Sequence, residues 1–126
     1  GLGTRLPAHA TSMGQALLSL MNSRELEVYL SSAKLNPCTP HTLTTRVALR
    51  HRLDEVREHG YAIVSEELEL GLRSIAVPVR NRNPRSNIAI NISAQTARVS
   101  AGEMIDRFLP ALQRGLRHIQ LALDGR

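Results

Sequence analysis

Residues 73–80 and 87–93 limit what this chain can fold into more than any other stretch. Both alternate with period two. Ile75, Val77 and Val79 share one face of the first run, and Ile88, Ile90 and Ile92 share one face of the second. Between them, Asn81-Arg82-Asn83-Pro84-Arg85-Ser86 is turn chemistry. The pattern predicts an antiparallel hairpin with one apolar face. Pro78 has no N–H to give to a ladder, so its strand is expected to be an edge or to carry a bulge. A symmetric turn sets Ser74 opposite Ser93 and Ala76 opposite Asn91, all four on the face away from the isoleucines.

The segments around the hairpin read mostly as helices. Ser12 with Gln15 three residues on resembles a capping box, for a helix reaching about Met21 with Met13, Ala16, Leu17 and Leu20 on one stripe. Asn22 or Ser23 caps a second helix carrying Leu26, Tyr29, Leu30 and Ala33. The two prolines of residues 36–42 mark a loop. A third helix covers about Thr45 to His59, seamed by Leu49, Leu53 and Val56, with Gly60 as its stop. Tyr61 to Val64 reads as a strand. Ser100 and Glu103 form a second capping box before a last helix, whose stripe runs Ile105, Phe108, Leu109, Leu112, Leu116, Ile119 and Leu123. Pro110 inside that helix is expected to kink it. Helices, then strands, then a helix, with no βαβ alternation, give an α+β fold: an antiparallel sheet with flanking helices. Three strands are few for such a sheet. Completion by residues outside this sequence, or by a partner chain, is therefore expected.

Bulk properties narrow the function. A length of 126 residues fits one domain spanning the whole chain, 1–126. No apolar run approaches the ~20 residues of a membrane span. Gly1-Leu2-Gly3-Thr4-Arg5 leads into no apolar signal segment, and Cys38 is the only cysteine. A cytoplasmic protein with no membrane partner is expected. The net charge is +5. Acidic residues interleave with basic ones, as in Asp54-Glu55-Val56-Arg57-Glu58, and aromatics are only 2%, so this chain by itself is not expected to contact nucleic acid.

Two places stand out as candidate sites. The hairpin face opposite the isoleucines carries Ser74, Ala76, Pro78, Ala89, Asn91 and Ser93, all small. It is either a solvated face of small residues or a pocket floor whose hydroxyls and amide orient a polar ligand. Thr11-Ser12-Met13-Gly14 places hydroxyls and free amides at a helix start, either as a plain cap or as a carboxylate site. The five histidines are scattered without metal-ligand spacing, so no metal or other cofactor is expected. Glu66, Glu67 and Glu69 before Gly71 read as a solvated loop more readily than as acid/base groups. No nucleophile elbow, phosphate loop or dinucleotide fingerprint occurs.

The motifs also match a family. Residues 5–18, from Arg5-Leu6-Pro7-Ala8-His9-Ala10 through Gly14 to Leu18, resemble the "LPxHAxxxGKAxLA" signature of IclR-type effector domains. Thr39 to Leu43 resembles "TxxTI", Glu58 to Ala62 resembles "xxGYA", Glu66 to Val79 resembles "EExxxGxxxIAxPV", and Ile88 to Ser93 resembles that family's "aalsis" strand. The wording is most similar to the subgroup governing aromatic-acid catabolism through β-ketoadipate. The resemblance implies a GAF-like sheet with helices, a cavity for a small organic acid effector, and a homodimer or homotetramer. It also implies DNA binding through a winged helix-turn-helix domain N-terminal to this chain, and an effector domain truncated here at its N-terminus. Effector contacts carried over by position fall on Ser12, Met13, Leu72, Ser74, Asn91 and Ser93. Val64 stands where glyoxylate- or pyruvate-type members have Asp, Ser12-Met13 where they have Gly-Ala, and Gln15 where Lys is usual; this argues against those two acids. Arg5 or Arg73 is a candidate counter-charge. The competing readings are a small carboxylate-processing enzyme using His9 with a glutamate, and a ligand-free oligomerisation module.

Overall fold

In the computed structural model, described over residues 6–124, a three-stranded antiparallel sheet lies between two helical layers. The strands are β1 (Ala62–Ser65), β2 (Leu72–Val79) and β3 (Ile88–Gln95), in the order β1-β2-β3. The β2–β3 register is Ser74↔Ser93 and Ala76↔Asn91, the symmetric pairing that the alternation requires. A 3-10 turn, Pro84–Ser86, closes the hairpin, and the Asn83 side chain accepts from the Arg85 N–H. β2 is the central strand, not an edge. Pro78 is accommodated because β1 begins only at Ala62, opposite Ala76, so at the proline β2 is unpaired on that side and is locally an edge.

The isoleucine face packs on the C-terminal helix. Ile75 and Val77 meet Met104, Leu109 and Leu112, with Ile63, Ile90 and Ile92 at the margin. That helix starts at α4 (Ala101–Glu103), where Ser100 and Glu103 complete the expected capping box. It passes through a π-helical turn, Met104–Phe108, into α5 (Leu109–Asp124). The helix adapts to Pro110 through this turn. Leu109 N–H reaches back five residues to the Met104 carbonyl, and the widened turn admits a residue that cannot donate.

The other layer holds α1 (Ser12–Leu18), α2 (Ser23–Ser32) and α3 (Arg46–His59). Leu18, Leu26, Leu30, Leu49 and Leu53 make its core. Asn22 and Glu25 form a reciprocal capping box on α2, and Thr45 caps α3 by accepting from Ala48 N–H. Gly60 ends α3 at φ 81°, a left-handed conformation only glycine adopts without strain. Thr45→Ala is expected to cost about 1 kcal/mol, measurable as a lowered urea midpoint at unchanged m-value.

α1 departs from its sequence reading in three ways. Its cap is Thr11, whose hydroxyl accepts from Gly14 N–H; Ser12 is the first helical residue and makes no box with Gln15. It stops at Leu18, where Leu20 N–H and Met21 N–H turn to i−3 carbonyls and the Ser19 hydroxyl donates to Ala16 O. Its buried stripe is Ser12, Gln15, Ala16, Leu18 and Ser19, while Met13 is 39% exposed. The helix is pressed between the sheet and its sister helices, so both of its sides are covered and hydrophobic periodicity misjudges it. Ala16 seats on Ala62, Ala76 and Ala89. Half of the small hairpin face is therefore small because a helix lies on it.

Candidate functional site

The other half of that face is the floor of a cavity of about 440 Å³. α1 reaches only part of the sheet, and beyond its first turn β2 and β3 stay uncovered. Ser74, Asn91 and Ser93 form the floor. Thr11, Ser12, Met13 and Gly14 form one wall, Leu68 of the β1–β2 connection lines the cavity as well, and Val64 and Leu72 flank Ser74 on the sheet. Leu6, Ala8, Ala10 and Leu17 complete the lining. All six sequence-derived candidates, Ser12, Met13, Leu72, Ser74, Asn91 and Ser93, border this one cavity.

Ser12 and Ser74 join wall to floor. The Ser74 hydroxyl donates to the Ser12 hydroxyl at 2.7 Å across 62 residues, and both residues are buried. Asn91 and Ser93 are exposed, and the Asn91 amide donates to the Ser93 hydroxyl at 3.3 Å. The site is thus a largely aliphatic hollow with a narrow strip of hydroxyl and amide groups along its floor. Among the described residues, no titratable side chain lines it.

Several other expectations are corrected here. Arg73 points to the isoleucine face, where its Nε donates to the Ser65 hydroxyl and its Nη1 to the Val99 carbonyl; it supplies no counter-charge to the cavity. Arg5 lies outside the described residues. His9 is buried, with Nε2 2.9 Å from the Asn36 carbonyl, and the Glu66 carboxylate accepts from Gly71 N–H; neither borders the cavity. Glu67 belongs to no solvated loop. It is 5% exposed and paired with Arg52 at 2.9 Å. Sequence reading missed it because a buried carboxylate is marked only by its partner, which here lies 15 residues away on another element.

A larger groove of about 590 Å³ lies at the far end of the sheet, between Ser19–Asn22 and the β2–β3 turn. Its charged members are Glu25, Arg57 and Arg80. Arg57 is already committed to the Ser19 carbonyl and to Asp54, the Ser19 hydroxyl to the Ala16 carbonyl, and the side-chain oxygens of Asn22 and Asn87 to the Glu25 and Asn81 N–H groups. The smaller cavity is the better-built site.

Known proteins are similar to this chain in sequence and in fold. The Pca regulon regulatory protein of Pseudomonas putida is 41% identical over 98% of this chain and 43% of its own length. The p-hydroxybenzoate hydroxylase transcriptional activator of Acinetobacter baylyi is 43% identical over 89% of this chain and 41% of its own length. The chain therefore spans less than half of these relatives. Among solved structures, the inducer-binding domain of a PobR double mutant from Acinetobacter, in complex with 3-hydroxybenzoic acid, superposes with a TM-score of 0.86 at 38% identity. That match covers 95% of this chain and 69% of that one. A family model, bacterial transcriptional regulator IclR C-terminal, matches residues 1–121. With the α+β fold and the motif order in agreement, the chain belongs to the IclR C-terminal family of bacterial transcriptional regulators.

Proposed function

We propose that this chain is the effector-sensing part of a transcription regulator and that its cavity takes a small hydroxylated aromatic acid. The observation that carries the reading is the cavity's make-up: aliphatic side chains of Leu6, Leu17, Val64, Leu68 and Leu72 that suit a ring, beside a floor carrying hydroxyls and an amide. A carboxylate there meets neutral donors: the Ser12 hydroxyl, which accepts from Ser74 and keeps its own proton, and the Asn91 amide, whose second N–H is not used by Ser93. Contact with DNA belongs to a domain outside this chain, and the working unit is a homodimer or homotetramer. The ligand acts by binding one subunit arrangement more tightly than another. Among the described residues, neither His9 nor Glu66, candidates in the enzyme alternative, borders the cavity.

The test is a thermal-shift and calorimetric screen of the full-length protein with 3-hydroxybenzoate, 4-hydroxybenzoate, protocatechuate and β-ketoadipate. At a hundredfold excess over Kd, the bound acid adds about 2.7 kcal/mol, which raises Tm by on the order of 10 °C. Preference for the ring compounds over β-ketoadipate supports the aromatic reading. No shift with any of the four rejects it.

A further inference from the structure

We infer that Arg52 and Gln15, neither of which touches the cavity, are positioning residues for its outer wall and act through Glu67. The inference deepens the effector-site reading and rests on it. The wall is the β1–β2 connection, whose Leu68 lines the cavity, as does Leu72 where β2 begins. Glu67 immediately precedes Leu68, and its carboxylate turns inward to a buried cluster. Arg52 Nη1 donates to both carboxylate oxygens, at 2.9 and 3.1 Å, and lies 3.4 Å from the Ile63 carbonyl. Gln15 ties the same cluster to α1. Its Nε2 donates to the His9 carbonyl at 2.9 Å and lies 3.4 Å from Glu67 Oε1, and its Oε1 accepts from Arg52 at 3.3 Å.

The main chain of the connection is held at two further points. The Thr39 hydroxyl donates to the Glu66 carbonyl, and the Thr42 hydroxyl to the Glu67 carbonyl. Glu66 itself sits at φ 57°, a left-handed conformation that a non-glycine residue keeps only when its surroundings impose it. Gln15 lies one turn after Ser12 on α1. A single polar cluster therefore joins the helical wall, through Gln15, to the loop wall, through Glu67. No fully buried polar side-chain atom among the described residues lacks a partner, so the buried part of the cluster is paired. A satisfied buried network sets geometry more than it adds stability.

The experiment uses the full-length protein and two readouts: amide hydrogen exchange without ligand, and Kd for 4-hydroxybenzoate. The informative variant is Arg52→Met with Glu67→Met. It removes the directional bonds while leaving no buried charge unpaired, an exchange that often leaves stability intact. Tm is expected to stay within a few degrees. Amides of residues 66–72 are expected to exchange about tenfold faster while those of α5 do not change. Kd is expected to weaken on the order of tenfold, the wall now being competent only part of the time. Arg52→Lys, which keeps the charge on a differently shaped side chain, restores part of both. If the double variant fails to fold, Gln15→Met removes the α1 link, together with the bond to the His9 carbonyl, and is expected to speed exchange over 66–72 by roughly threefold. Unchanged exchange over 66–72 overturns the inference, and so does acceleration spread equally into α5. If the unaltered protein binds none of the four acids, the effector reading fails separately, and the exchange data still decide the role of Arg52 and Gln15.

Discussion

Gly14→Ala is expected to destabilise this protein by about 3 kcal/mol, against the ordinary preference for alanine inside a helix. A β-carbon built at Gly14 falls 2.4 Å from both the Cα and the carbonyl oxygen of Ala8, and 2.6 Å from the Thr11 hydroxyl. Two of these three atoms are main chain and cannot swing aside. Helix propensity alone favours alanine here by roughly 1 kcal/mol, so the sign of the result reports the clash. Gly115→Ala is the control. Its β-carbon meets only Ile90 Cδ1, at 3.5 Å, an ordinary contact, and there the propensity gain of up to about 1 kcal/mol survives. Thermal or urea unfolding of the two variants should therefore move in opposite directions, the first losing on the order of 10 °C in Tm. Equal melting of Gly14→Ala and the unaltered protein would show that residues 8–10 do not lie against α1. The cavity would then lose the wall built from Ala8, Ala10 and Thr11.

The hairpin was readable from sequence because two independent signals agree on it. The apolar alternation fixes which face each residue takes, and a one-residue slip turns every side chain over. The turn then fixes the register. Both place Ser74 beside Ser93, and the observed pairing matches. The capping box at Ser100 was legible for a similar reason, since it depends on residues three apart, and Asn22 was one of the two cap candidates for α2. α1 was not. Its buried side carries Ser12, Gln15 and Ser19, whose burial depends on partners supplied by β2, α3 and main-chain carbonyls. Periodicity counts apolar residues and has no access to those partners. The same blindness sent Glu67 to the surface in the sequence reading. The small face of the hairpin was legible in composition but ambiguous in meaning: Ala76 and Ala89 are small to admit Ala16 of α1, whereas Ser74, Asn91 and Ser93 border open space. Only the length of α1 separates the two uses, and that length is set by packing.

The floor residues give the sharpest test of what fills that space. Ser93→Phe is expected to abolish effector binding while leaving the fold intact. Ser93 pairs with Ser74 across the β2–β3 ladder and shares its face, so a phenyl ring there projects into the cavity that a substrate-sized aromatic acid would occupy. Ser93 is exposed, and a substitution at such a site changes stability by about 0.5 kcal/mol or less. Affinity for whichever hydroxybenzoate the unaltered protein binds should fall by at least about a hundredfold, equivalent to 2.7 kcal/mol. Ser31→Phe, equally exposed on α2 and away from the cavity, should alter neither quantity. Calorimetry measures affinity, and sedimentation velocity measures assembly in the same samples. The assembly measurement separates the sensor from its rival. If this face is a contact between subunits, Ser93→Phe shifts the oligomer distribution and the acids have no effect on either variant. If it is the floor of an effector site, ligand affinity is lost first, because the ring and the effector compete for the same space over Ser74.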